Sequence, residues 1–313
     1  MPQSTNTVLV IGSANMDLVV HTPAFPAPGQ TVIGSAFATF EGGKGANQAV
    51  ASARYGTDTS LVAAFGADDH AARLLASLAA DHVDTAAIIQ RDSVPTGIAV
   101  ITVNDESEGE NTIVVAPGAN ATLSPDDIEA RADRITSAGI LLMQLEVPLP
   151  TVCAAARLAH GAGVPVVLNA APAPADPNEI AILNNMADLI DLLIVNETEC
   201  EALAGITADD TVIPDSLDFE DIVLTLGSRG SIARWQGVNL AQPAILVTPV
   251  DTTAAGDAFC GVLAAALASG SPFPEALSHA SAAGALACTR PGAQPSLPTG
   301  TDILQLAGRR QAP

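Results

Sequence analysis

Lysine is all but missing from this chain. Of 12 basic residues among 313, one, Lys44, is a lysine and the other eleven are arginines, although lysine is normally among the commonest residues of soluble domains. Positive charge is scarce altogether. Aspartate and glutamate number 34, and the formal net charge is −22. A field of that sign repels phosphate backbones and anionic lipid surfaces, which excludes nucleic acid and membrane as main partners. Aromatics are few, with one Trp, one Tyr and seven Phe, so there is little to stack on a nucleobase. The four cysteines (Cys153, Cys200, Cys260, Cys288) form no CxxC pair, which fits a reducing compartment better than a disulfide framework or a zinc site. The five histidines show no HxxH or HExxH spacing. No apolar run is long enough for a membrane span: Val8–Ile11 is short, and the small-residue stretch Ala255–Ala268 contains Asp257. Met1–Thr7 is polar without positive charge, unlike a signal peptide, so a cytoplasmic location is expected.

Short apolar runs alternate with alanine-rich helical stretches, the pattern of a parallel sheet flanked by helices. Buried strands are expected at Val8–Ile11, Ser60–Ala64, Ile140–Gln144, Val164–Asn169, Leu192–Val195 and Ile222–Leu226. A late hairpin is expected from Ser231–Arg234 and Ala244–Thr248. Helices are expected at Gly45–Tyr55, Asp69–Ala80, Pro125–Ser137, Leu149–His160, Glu197–Ala204, Ala255–Ser269, Pro274–Cys288 and Asp302–Ala307. Two regions break this rhythm. Leu18–His21 with Thr31–Phe40, and Thr96–Val103 with Asn111–Val115, are strand-like without helices, and are expected to form a separate antiparallel sheet. The proline-rich stretch Ala170–Pro177 reads as the wall of a pocket mouth.

The chemistry concentrates at predicted strand ends, where α/β sheets bind ligands. Lys44 sits among glycines in Gly42-Gly43-Lys44-Gly45-Ala46-Asn47-Gln48, and a compact cation on a flexible stem suits a moving phosphoryl group. No GxxxxGK[ST] occurs, so this is not a P-loop. Asp251-Thr252-Thr253-Ala254-Ala255-Gly256-Asp257 precedes a long helix. The unpaired first amides over Ala254, Ala255 and Gly256 can close on an anion, and Asp257 beside them can take a proton from an acceptor hydroxyl. In isolation the same acid reads as an ordinary first-turn carboxylate. In Asn196-Glu197-Thr198-Glu199, Asn196 can reach a phosphate and Glu199 can hold Mg²⁺ through water, or the four residues are an N-cap. Thr225-Leu226-Gly227-Ser228-Arg229-Gly230 offers backbone approach to a nucleotide, or a plain turn. Asn15 and Asp17 suit sugar hydroxyls, and Glu146 ends a further strand.

With these motifs in this order, together with Gly118-Ala119-Asn120 and Thr289–Ser296, the chain resembles the PfkB carbohydrate kinases, and most closely their ribose-phosphorylating members. The resemblance implies a three-layer α/β/α fold with a mostly parallel sheet over residues 1–313, and a small β-sheet lid from inserts at about 14–41 and 95–116. It implies ATP-dependent phosphorylation of the ribose 5-hydroxyl with Mg²⁺ and a monovalent cation, K⁺, in a homodimer joined through the lid. Another acceptor, such as deoxyribose, a ketose or a nucleoside, stays open. The complete Asp257, Gly256 and Glu199 set argues against a non-catalytic sugar-binding protein. By position, Asp257 is similar to the family's base and Ala254–Gly256 to its anion hole. Asn15, Asp17, Gly42, Gly43, Asn47 and Glu146 match sugar positions. Asn196, Thr225–Gly230, Gly256 and Ser281 match nucleotide positions. Asp251, Thr253, Ala287, Arg290, Gly292 and Ser296 match a monovalent-cation loop. One departure is a short acidic connection with no expected helix, carrying Asp209, Asp210, Asp215, Asp218, Glu220 and Asp221. The other is Ser281, where some relatives carry histidine or asparagine.

Overall fold

The computed structural model describes residues 6–106, 110–206 and 212–308. Asp209 and Asp210 lie outside the described residues. The chain opens with β1 (Thr7–Ile11), β2 (Asn15–Thr22), β3 (Ala36–Gly42), α1 (Lys44–Tyr55), β4 (Asp58–Val62), β5 (Ala64–Gly66), α2 (Asp69–Ala80), β6 (Ile89–Arg91), β7 (Gly97–Asn104) and β8 (Asn111–Ala116). Next come α3 (Pro125–Glu129), α4 (Ala132–Thr136), β9 (Ile140–Met143), α5 (Leu149–Gly161), β10 (Val166–Asn169), α6 (Pro177–Asn184), β11 (Leu192–Asn196) and α7 (Glu197–Ala204). It closes with β12 (Ile222–Thr225), β13 (Ser231–Trp235), β14 (Val238–Gln242), α8 (Ala255–Ala268), α9 (Phe273–Ala287) and α10 (Gly300–Gly308).

The main sheet runs β14-β13-β12-β11-β10-β9-β1-β4. From β4 to β12 every pair is parallel, and β13 and β14 add an antiparallel edge. Strands buried on both faces need apolar residues throughout, which is why β1 from Val8 onward and β9 read as unbroken apolar runs. Their side chains alternate between two cores. Val8, Val10, Ile140 and Leu142 share one core with residues of α1, α8, α9 and α10, while Leu9, Ile11, Leu141 and Met143 share the other with residues of α3, α4, α5 and α7. The three-layer expectation is met.

The second sheet runs β3-β2-β7-β8. It is not wholly antiparallel as expected. β2 and β7 pair in parallel from Asn15↔Gly97 to Thr22↔Asn104. Both leave the body in one direction, and each returns through its own antiparallel partner, β3 or β8.

Other boundaries differ for local reasons. The expected helix over Pro125–Ser137 is two short ones. Arg131 leaves helical geometry at φ −120°, and its guanidinium bonds the Asp127 and Ala87 carbonyls. The late hairpin turns at Gln236-Gly237, both at positive φ, so its return strand is Val238–Gln242 and not Ala244–Thr248. Two consecutive positive φ values match the right-handed twist of the flanking strands. Ser60–Ala64 straddles β4 and β5. Helix α6 went unexpected, although Asp176 caps it and Pro177 opens it, both start signals hidden at the end of the proline-rich loop. No helix occurs in the described part of the acidic connection, 212–221, where Ile213, Leu217 and Phe219 anchor it in the core.

Candidate active site

The carboxyl ends of β1, β9, β10 and β11 and the amino ends of α1 and α8 converge on one region. Helix α8 begins after Ala254, which caps it at φ 59°. The amides of Gly256 and Asp257 find no partner among the described residues, so they stand free at the positive end of the helix. Gly256 is exposed, and a Cβ there would meet nothing within 4 Å. Packing within the chain therefore gives no reason for glycine at this position, whereas an anion lying on the backbone does. Asp257 is buried in the same turn. Asn47 Nδ2 donates to its Oδ2 at 2.9 Å and Gln48 Nε2 to its Oδ1 at 3.0 Å.

Lys44 is the first residue of α1, with Gly43 as cap at φ 88°. The resemblance implies that Gly42 and Gly43 lie at sugar positions. In the structure their space is occupied by the chain itself. A Cβ on Gly43 would lie 2.6 Å from Ala14 Cα, and one on Gly42 would lie 2.2 Å from Asp17 Oδ2. The glycines thus let α1 butt against the β1–β2 junction, which brings Lys44 and Asp17 into the site. Burial disfavours the Lys44 ammonium, but Asp257, Glu146 and Glu199 outweigh it and hold its pKa above the ordinary value. Glu146 Oε2 accepts from the Ser13 hydroxyl and from the Lys44 amide. At Asp17 burial and charge act in the same direction. Burial first, then Glu146, Asp257 and Glu41, raise its pKa to about 7. Asn15 is buried beside it, its Oδ1 accepting from Asn120 Nδ2 at 2.8 Å.

Asn196 ends β11 and caps α7. Its Oδ1 accepts from the Glu199 amide, while its own amide and Nδ2 donate to the two Glu199 oxygens. The N-cap alternative is thus realised, and the same geometry fixes Glu199. Burial leads in raising the Glu199 pKa, with Asn196 and Lys44 opposing. Such a carboxylate, engaged at both oxygens and poorly hydrated, fits a cation held through water better than one bound directly. Among the described residues no group of three or more His, Cys, Asp or Glu is arranged to hold a metal by itself, and Mg²⁺ commonly borrows most of its ligands from phosphate and water. Thr225 pairs with Asn196 across β11 and β12, and Leu226–Gly230 turn from there. Arg229 reaches Glu197. Ser281 is half-buried on α9.

Asp251 ties two loops together. Oδ1 accepts from the Thr253 amide and hydroxyl, and Oδ2 from the Gly292 amide at 2.8 Å. Both oxygens of the Asp251 carboxylate are thus engaged within the chain. Ala287 and Ser296 are buried, and Arg290 is exposed. The sequence reading gave no role to the buried polar side chains behind the cleft: Ser13, Gln48, Asn120, Gln144 and Asn169. Gln144 and Asn169 close the otherwise apolar runs of β9 and β10, and that change of polarity was the available signal.

The family description "pfkB family carbohydrate kinase" matches residues 5–300. The chain belongs to this kinase family. Among its relatives, the ribokinase of Staphylococcus aureus is 37% identical over 311 residues, covering 96% of this chain and 100% of that one. The ribokinase of Haemophilus influenzae is 38% identical over 307 residues, covering 96% and 97%. The solved structure of Arabidopsis thaliana ribokinase complexed with ribose and ATP superposes with a TM-score of 0.84 at 33% identity, covering 96% and 98%.

Proposed function

We propose that this chain transfers the γ-phosphoryl group of ATP to the 5-hydroxyl of D-ribose. The observation that carries the reading is Asp257, a buried carboxylate fixed by two amide donors beside the unpaired amides of α8. Asn15, Asp17, Gly42, Gly43, Asn47 and Glu146 orient the sugar, with Asp17 and Glu146 accepting from its hydroxyls. The 5-oxygen attacks Pγ, the bond from Pγ to the β–γ bridging oxygen breaks, and ADP leaves with that electron pair. Asp257 takes the hydroxyl proton. The Ala254, Ala255 and Gly256 turn receives charge developing on the phosphoryl oxygens, and Lys44 adds a cation on the same side. Asn196, the Thr225–Gly230 turn and Ser281 form the nucleotide side. Glu199 would hold Mg²⁺ through water, and the ion would supply neutralisation of phosphate charge. The loop of Asp251, Thr253, Ala287, Arg290, Gly292 and Ser296 would hold K⁺.

The second sheet acts as a lid over the sugar and as the dimer contact. Phe37, Val100 and Val114 share one face of it by register and are exposed, and a second copy would cover them. The four free cysteines fit a cytoplasmic location. Asp257→Asn tests the mechanism. It is expected to lower kcat by at least about a hundredfold, the scale of a positioned general base. Near-wild-type turnover in that variant would remove Asp257 from the role.

A further inference from the structure

Gln48 follows Asn47 on α1 and is completely buried. Its Nε2 lies 3.0 Å from Asp257 Oδ1 and 3.1 Å from Asn169 Oδ1, and its Oε1 accepts from Gln144 Nε2 at 2.6 Å. The orientation of each amide in this chain is determined. Asn169 Nδ2 faces the Ile194 carbonyl at 3.3 Å, a group that only accepts. Asn169 therefore turns its oxygen to Gln48. Gln48 must present its NH₂ to that oxygen and to the Asp257 carboxylate, which leaves Oε1 for Gln144. Gln144 follows β9 and Asn169 ends β10, so the donor at Asp257 is aimed from the sheet. The α1–α8 crossing keeps the register. A Cβ on Gly261 would lie 2.4 Å from the Gln48 carbonyl oxygen, so α8 carries glycine where α1 comes closest.

We propose that Gln48 is a positioning residue that fixes the carboxylate plane of Asp257, with Gln144 and Asn169 as its anchors. The proposal rests on Asp257 being the base. Asn47 holds Oδ2 and Gln48 holds Oδ1, so each oxygen keeps a lone pair in a defined direction for the acceptor hydroxyl. Without Gln48 the carboxylate can rotate, and a misplacement of about 1 Å at a reacting centre costs roughly a hundredfold.

A double-mutant cycle in the full chain tests this, with kcat, ribose KM and thermal midpoint measured for Gln48→Met, Gln144→Met, Asp257→Asn and each pairing with Asp257→Asn. Gln48→Met is expected to lower kcat by roughly ten- to a hundredfold while ribose KM moves much less. Gln144→Met, which leaves Asp257 untouched, is expected to act in the same direction and more weakly. Added to Asp257→Asn, neither should change the residual rate by more than about twofold, because both act through that carboxylate. Losses that multiply in the double variants, or wild-type kcat in Gln48→Met, overturn the proposal while leaving Asp257 as base. Retained turnover in Asp257→Asn overturns the base assignment and this proposal together. If Gln48→Met does not fold, the Gln144→Met cycle decides by the same criterion.

Discussion

At the scale of single residues, burial and charge set the site together, opposed at Lys44 and acting in the same direction at Asp17. Asp17 is 7% exposed, and no donor reaches its carboxylate among the described residues. Its pKa rises from 3.8 to about 7. A raised folded pKa means that its contribution to stability is complete below about 3.8 and is lost as pH rises through about 7. Asp17→Asn should therefore stabilise the sugar-free protein relative to wild type, with a margin that widens by roughly 2–3 kcal/mol between pH 5 and 8. Denaturant melts at the two values measure it, and a margin independent of pH contradicts the account. Ribose hydroxyls donate best to the ionised form, so ribose KM in the wild type should fall as pH rises from 6 to 8. Lys44 tests the other sign of charge. On the proposed mechanism Lys44 serves the moving phosphoryl group more than the sugar, so Lys44→Ala should lower kcat more than it raises ribose KM. Steady-state kinetics with an unchanged kcat would remove Lys44 from the catalytic role.

At the scale of elements, much was legible. The apolar runs of β1, β9 and β11 and the alanine-rich α1 and α8 announce themselves by pattern, and α7 opens at the Asn196 cap that the sequence offered. What escaped depended on contacts between elements. The break after α3 follows from Arg131 reaching the Ala87 carbonyl, a partner from another part of the chain. The parallel pairing of β2 with β7 follows from where each strand leaves the body. Gly42 and Gly43 stood out by their place in the motif, but only the structure shows Asp17 and Ala14 in the space of their missing side chains. Gln48, Gln144 and Asn169 read singly as polar residues in apolar surroundings, and their joint role exists only where three elements meet. The β1–α1 contact is tested by Gly45→Ala. Its Cβ would fall 2.6 Å from the Gly12 backbone, and neither backbone can yield without moving the site. Overpacking of this kind costs about 1–3 kcal/mol, so a lower melting temperature and loss of activity are expected. A variant with wild-type melting and kinetics would refute the packing argument.

At the scale of the whole molecule, the proposed phosphoryl donor is a polyanion while the chain carries a net charge of −22. The long-range field opposes ATP, and local groups at the α8 terminus and Lys44 must overcome it. Raising ionic strength from about 20 to 200 mM shortens the screening length about threefold. With K⁺ and Mg²⁺ held constant, added tetramethylammonium chloride should lower the KM for ATP, and a KM that rises would mean that local pairing dominates. The exposed Phe37, Val100 and Val114 face predicts a dimer. Val114→Asp should shift the mass in solution, measured by light scattering, from two chains towards one. An unchanged two-chain mass would place the contact elsewhere.

The central claim is that this site phosphorylates ribose at its 5-hydroxyl. The most direct measurement is a coupled ADP-release assay with ribose, deoxyribose, fructose and adenosine, with and without K⁺, and the phosphorylated product identified by NMR. The account predicts the highest kcat/KM for ribose, a product phosphorylated at the 5-oxygen, and a rate that rises with K⁺. A higher kcat/KM for another acceptor, or ribose bound without ADP release, would contradict it.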